Sequence, residues 1–157
     1  MQTNIKRRIF LQRSFTAGTV CVATAAGLLS PGAVLAAWPE TAFAAKDVEG
    51  ALSSLTGSSA TEVDAGISIR APDIAENGAV VPVTVDTERA AESITIIAST
   101  NPAPLIASFE LGPGTGGMVS TRIKMGKTGD VVAIVKSGGK LYSNKKPVKV
   151  TIGGCGG

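Results

Sequence analysis

From Thr61 to Ile152 the sequence breaks into short β-branched or alternating runs, each closed by a Gly, Pro or Asn signal roughly ten residues after the last. "EVDAGISIRAP" alternates through Val63, Ala65, Ile67 and Ile69. "GAVVPVTVD" follows a turn at Asn77-Gly78 and sets Val81, Val83 and Val85 on one face. "SITIIAST" and "PLIASFEL" flank the turn "NPAP". "MVSTRIKM" leads through "GKTG" into "DVVAIVKS", a "GGK" turn gives "KLYSN", and "KKPVKVTI" closes the series. About eight short strands at this spacing predict a mainly β chain, an antiparallel β-sandwich of immunoglobulin-like type. No cysteine lies in this stretch, so the usual intersheet disulfide is not expected.

Two segments precede the strands. Residues 1–36 read as an export signal: Lys6, Arg7, Arg8 and Arg13 without an acid, a moderately apolar stretch from Phe15 to Leu29, then "PGAVLA". "KRRIFLQ" resembles the twin-arginine signature. The stretch is short and polar for a membrane span of about 20 residues, so a signal is favoured over an anchor. Cleavage after Ala36 fits, and cleavage after Ala44 also fits but would remove "WPETAF". Cys21 leaves with the signal, and no membrane association is expected after its removal. Residues 37–58 then predict a short N-terminal helix. Pro39 suits a first turn, Phe43, Val48, Ala51, Leu52 and Leu55 lie close to one face, and Gly57 is a stop. Packing against the sandwich is the expected role of that face, with a partner as the alternative.

Signal removal changes the charge. The whole chain is +3, but the signal takes four bases and no acid, which leaves −1. The basic pI belongs largely to the precursor and does not indicate nucleic-acid binding. Residues 37–110 hold eleven acids and three bases, and residues 111–157 hold one acid and eight bases. Either the fold keeps these apart, giving the end of the sequence a positive neighbourhood, or paired strands interleave them and cancel the field. There is no histidine, which removes Ser-His-Asp and Cys-His catalysis and histidine-ligated metals.

The sandwich is expected over 59–152, followed by residues 153–157, "GGCGG", a flexible glycine-rich arm. Cys155 is the one cysteine outside the signal, so no internal disulfide, CxxC redox pair or thiolate metal cluster can form around it. Gly153, Gly154, Gly156 and Gly157 give backbone freedom, a narrow cross-section and an unshielded sulfur. An extended arm reaches ~10 Å from Ile152 to Cys155. No cation or helix N-terminus that would lower the thiol pKa is encoded beside it. An accessible sulfur without activating groups suits a carrier or substrate site better than an enzyme's nucleophile. A sandwich that dimerises through a Cys155 disulfide and a thiol-dependent enzyme are the rival readings.

These features together resemble the SoxY family, sulfur carriers of the periplasmic thiosulfate-oxidising Sox system. The resemblance rests on the twin-arginine signal, "WPETAFAAK", "PDIAENGAVVPV" and "GGCGG". It implies an immunoglobulin-like subunit paired with a second sandwich subunit, SoxZ, and Cys155 carrying inorganic sulfur intermediates covalently. It further implies a periplasmic location and transient visits to SoxXA, SoxB and SoxCD, which would own the haems and metals. The chain itself calls for no cofactor.

Overall fold

Val81, Val83 and Val85 are each no more than 1% exposed, while Pro82 between them faces solvent. A period of two with one apolar face is what a half-buried strand requires. The same logic builds most of the molecule, a computed structural model that describes residues 39–151. The export signal, Cys21, Trp38 and the arm residues Gly153, Gly154, Cys155, Gly156 and Gly157 lie outside the described residues.

Among the described residues nine strands form two sheets: β1 (Glu62–Val63), β2 (Ile67–Arg70), β3 (Ile74–Ala75), β4 (Val81–Thr87), β5 (Ser93–Ala98), β6 (Leu105–Glu110), β7 (Met118–Ile123), β8 (Gly129–Ser137) and β9 (Lys140–Val150). The larger sheet runs β1-β9-β8-β5-β6, with β3 also on β9, and the smaller runs β2-β4-β7. Their inner faces meet in one core, with Ile67, Val81, Val83, Val85 and Ile123 on one side and Ile94, Ile96, Val131, Val135 and Val148 on the other. Each such burial contributes ~1.5–3 kcal/mol. The expected β-sandwich is present, and its pairing is antiparallel except where β1 and β3 lie parallel to β9.

Helices α1 (Glu40–Ala44) and α2 (Val48–Thr56) cover the outer face of the larger sheet, so the expected single helix is two. The break has a local cause. Asp47 is extended and caps α2 by accepting from the Gly50 N–H at 2.7 Å, which ends one helix and starts the next. Gly57 stops α2 in the left-handed region, as its position predicted. Ala42, Ala51 and Leu52 pack on Ile97, Leu105, Ile134 and Leu141. The apolar helix face is therefore spent on the sandwich, and β5 is buried on both sides, all six of its residues inside.

Two strand assignments change. "EVDAGISIRAP" is not one strand, because Asp64 turns the chain. Its carboxylate accepts from Gly66 N–H at 2.8 Å and its carbonyl from Ile67 N–H at 3.2 Å, sending β1 and β2 to different sheets and leaving Val63 87% exposed. "KLYSN" and "KKPVKVTI" are one eleven-residue strand, because the ladder with β8 runs unbroken from Ser137↔Lys140 to Gly129↔Val148 and overrides the turn signal at Asn144-Lys145-Lys146-Pro147. Gly138 and Gly139 make the preceding two-residue hairpin, both at positive φ (57° and 75°).

Candidate functional site

The sequence places Cys155 four residues beyond Thr151, so the described part of the candidate site is the end of β9 and the segments that hold it. Backbone pairing with β8 stops at Gly129↔Val148. Past that point a side chain continues it. The Thr128 hydroxyl accepts from the Val150 N–H at 2.9 Å and donates to the Val150 carbonyl at 3.3 Å. On the other edge, β3 runs parallel, with Ile74 opposite Lys149 and Ala75 opposite Val150. The Lys149 N–H donates to the Asp73 carbonyl at 2.9 Å and the Thr151 N–H to the Ala75 carbonyl at 3.0 Å. Both edges of the last strand are thus held up to its final residue.

The turn after β3 lies beneath this point. Asn77 shapes it, its side chain accepting from the Ala79 N–H at 2.9 Å and its carbonyl from the Val80 N–H at 3.3 Å. Gly78 follows because no larger residue fits: a Cβ there would lie 2.4 Å from the Met125 carbonyl oxygen and 2.8 Å from Val150 Cγ1. Its carbonyl accepts from the Met125 N–H at 2.7 Å. The loop from β7 to β8 is fixed in turn by Asn101, which donates to the Lys124 carbonyl at 2.7 Å and accepts from the Gly126 N–H at 2.9 Å.

"PDIAENGAVVPV", to which the sequence alone assigns no function, is therefore the clamp that holds the end of β9. Its turn chemistry was legible in Asn77-Gly78. Its meeting with Val150 and Thr151, over seventy positions away, was not.

The charges interleave along much of the sandwich. Lys136 pairs with Glu92 (3.5 Å), Lys140 with Glu62 (3.1 Å) and Lys146 with Asp73 (3.1 Å), each base from the second half meeting an acid from the first. Lys124, Lys127 and Lys149, at the arm root, are exposed and make no ion pair among the described residues. Glu76, also exposed, is an acid beside them that makes no ion pair among the described residues.

An open cleft of about 550 Å³ lies at the other end of β4, lined by Asp64, Gly66, Ser68, Asp86, Thr87, Glu88 and Arg89. Its one base is committed, since Arg89 Nε donates to Asp64 Oδ2 at 2.5 Å and its guanidinium lies 3.7 Å from the Tyr142 ring centre. The Arg89 hydrogen bond, helped by the Gly66 N–H, lowers the Asp64 pKa. This end of the molecule is a brace between the sheets, remote from Thr151. Among the described residues no three potential metal ligands cluster.

A family model described as sulfur oxidation protein SoxY matches residues 52–155, a span that includes Cys155. The solved structure of the sulfur carrier protein SoxY from Chlorobium limicola f thiosulfatophilum is 43% identical, covers 73% of this chain and 100% of its own, and superposes with a TM-score of 0.62. A superoxide reductase (neelaredoxin) from Ignicoccus hospitalis is 20% identical over 54% of this chain and 80% of its own, with a TM-score of 0.48. No curated protein sequence gives a significant match.

Proposed function

The chain belongs to the SoxY family of sulfur oxidation proteins, and from that membership we propose that it holds thiosulfate-derived sulfur covalently on Cys155 and presents it to partner enzymes. The observation that carries the reading is 43% identity to a sulfur carrier over the whole of that carrier's length. The family match extending through Cys155 supports it.

The chemistry asks little of the carrier beyond its sulfur. In the first step the Cys155 thiolate and the outer sulfur of thiosulfate join in an S–S bond, and a haem partner of the SoxXA type takes the two electrons released. Water then cleaves the outer sulfone as sulfate in a SoxB-type enzyme, with two protons released and a persulfide left on Cys155. A SoxCD-type dehydrogenase adds three oxygens from water to the outer sulfur and removes six electrons. A second hydrolysis returns the thiolate and a second sulfate. Every catalytic group belongs to a partner, and this chain is a non-catalytic component.

Gly153, Gly154, Gly156 and Gly157 serve passage: without Cβ atoms they keep the arm narrow and the sulfur reachable. Tethering keeps each intermediate at high effective concentration as it moves between stations. A SoxZ-like sandwich is the proposed stable partner, and the periplasm, reached through the twin-arginine signal, the proposed location.

The test is Cys155→Ser. It should abolish thiosulfate-dependent electron flow while circular dichroism and thermal unfolding stay as in the parent protein. Undiminished electron flow in the variant contradicts the reading.

A further inference from the structure

Cys155 is four residues past Thr151, so its Cα lies at most about 14 Å from the root even when the arm is fully extended. Any protein that takes the sulfur into an interior site must therefore bring the mouth of that site down onto the residues around Thr151. Those residues are fixed by the hydrogen bonds of Asp73, Ala75 and Thr128, so they form a preordered surface. Three segments converge there: 73–80, 124–128 and 146–151. They carry four lysines against two acids, and one acid, Asp73, is already paired with Lys146. Lys124, Lys127 and Lys149 are left against Glu76 alone.

Two large apolar side chains are exposed on the segment that clamps β9, Ile74 at 57% and Val80 at 49%. Ile74 stands beside Lys149 in the strand register. Across the smaller sheet, Val81 at the opposite end of β4 from the cleft marks the same end of the sandwich.

We propose that this arm-root surface is a docking face for the enzymes that process the carried sulfur, and that it fits partners whose channel mouths are acidic with an apolar contact at the rim. The lysines attract and orient the partner, and Ile74 and Val80 add short-range contact once the arm is inserted. Repeated use by several partners requires weak binding, which a small, charge-steered patch provides better than a large apolar one. The proposal rests on the carrier reading above but makes a separate claim about where partners touch.

The experiment uses the full mature chain with its natural companion subunit, added to an extract of thiosulfate-oxidising cells lacking their own carrier. Thiosulfate-dependent cytochrome reduction is followed against carrier concentration at several ionic strengths. Lys124→Glu/Lys127→Glu/Lys149→Glu should raise the half-saturating carrier concentration about tenfold and reverse the sign of its salt dependence, with the maximal rate little changed. Ile74→Ser should raise it without altering the salt dependence. Lys46→Glu, on the exposed turn between the helices, should leave both unchanged.

Unchanged half-saturation and salt dependence in the triple variant overturn the docking face while leaving the carrier reading intact. An equal effect from Lys46→Glu also overturns it, because net charge rather than place would then be responsible. No rate with the parent carrier defeats the carrier reading itself, and the docking face with it.

Discussion

The backbone N–H of Thr151 donates to the carbonyl of Ala75 at 3.0 Å, a bond that ties the last described residue to the β3 segment. It joins two segments that are far apart in sequence, one of them within "PDIAENGAVVPV". The last strand is therefore held on both edges up to the end of the described residues.

Gly78→Ala tests that clamp. The added methyl group would press on the Met125 carbonyl oxygen and on Val150, and overpacking of this kind costs about 1–3 kcal/mol. Urea unfolding should show that loss, and hydrogen exchange should show faster exchange at the amides of Val150 and Thr151. Gly112→Ala, where nothing lies within 4 Å of the new methyl group, should be close to neutral. Equal stability of the two variants would contradict the tight packing at Gly78.

Leu52→Ala tests whether the helices belong to the sandwich. Leu52 is 4% exposed and packs with Ile97, Leu105, Ile134 and Leu141. Its truncation should cost about 2–5 kcal/mol in global stability. A change confined to local helix fraying, with the global unfolding midpoint unmoved, would mean that α2 is only loosely attached.

The sequence was most legible where one face of a strand meets the core. The alternation of Val81, Val83 and Val85, the turn at Asn77-Gly78 and the stop at Gly57 follow from local chemistry, and the structure has all three. Reading failed where distant partners decide. Val63 continues the apolar alternation of Ile67 and Ile69, yet it is exposed because Asp64 turns the chain between two sheets. Asn144 to Pro147 reads as a turn, yet β8 holds it straight, and Asn144 Nδ2 donates to the Ile67 carbonyl at 2.6 Å to tie the sheets together. At the candidate site Cys155 and its glycines were conspicuous from composition alone. The platform was not, because Thr128, Gly78 and Asp73 acquire meaning only when β9 is laid between them.

The Asp64–Arg89 brace carries a pH dependence. The Asp64 carboxyl titrates below its ordinary value of 3.8, chiefly because Arg89 donates to it and then because the Gly66 N–H does. A carboxylate depressed in the folded state stabilises fully above the unfolded pKa and loses that contribution as pH falls through the folded one. The stability difference between the parent and Asp64→Asn should therefore be flat above about pH 5 and shrink as the solution is acidified below about pH 4. Asparagine retains an acceptor for the Gly66 turn, so the ion pair is what the comparison isolates. A difference that does not change with pH would show that the pair adds nothing to stability.

Covalent sulfur attachment at Cys155 can be read by intact-mass spectrometry of the mature protein from cells oxidising thiosulfate. The spectra should show adducts differing by sulfane and sulfonate increments, all lost on reduction and all mapping to the peptide that contains Cys155. A peptide found only as the bare thiol or as a symmetric disulfide would contradict it.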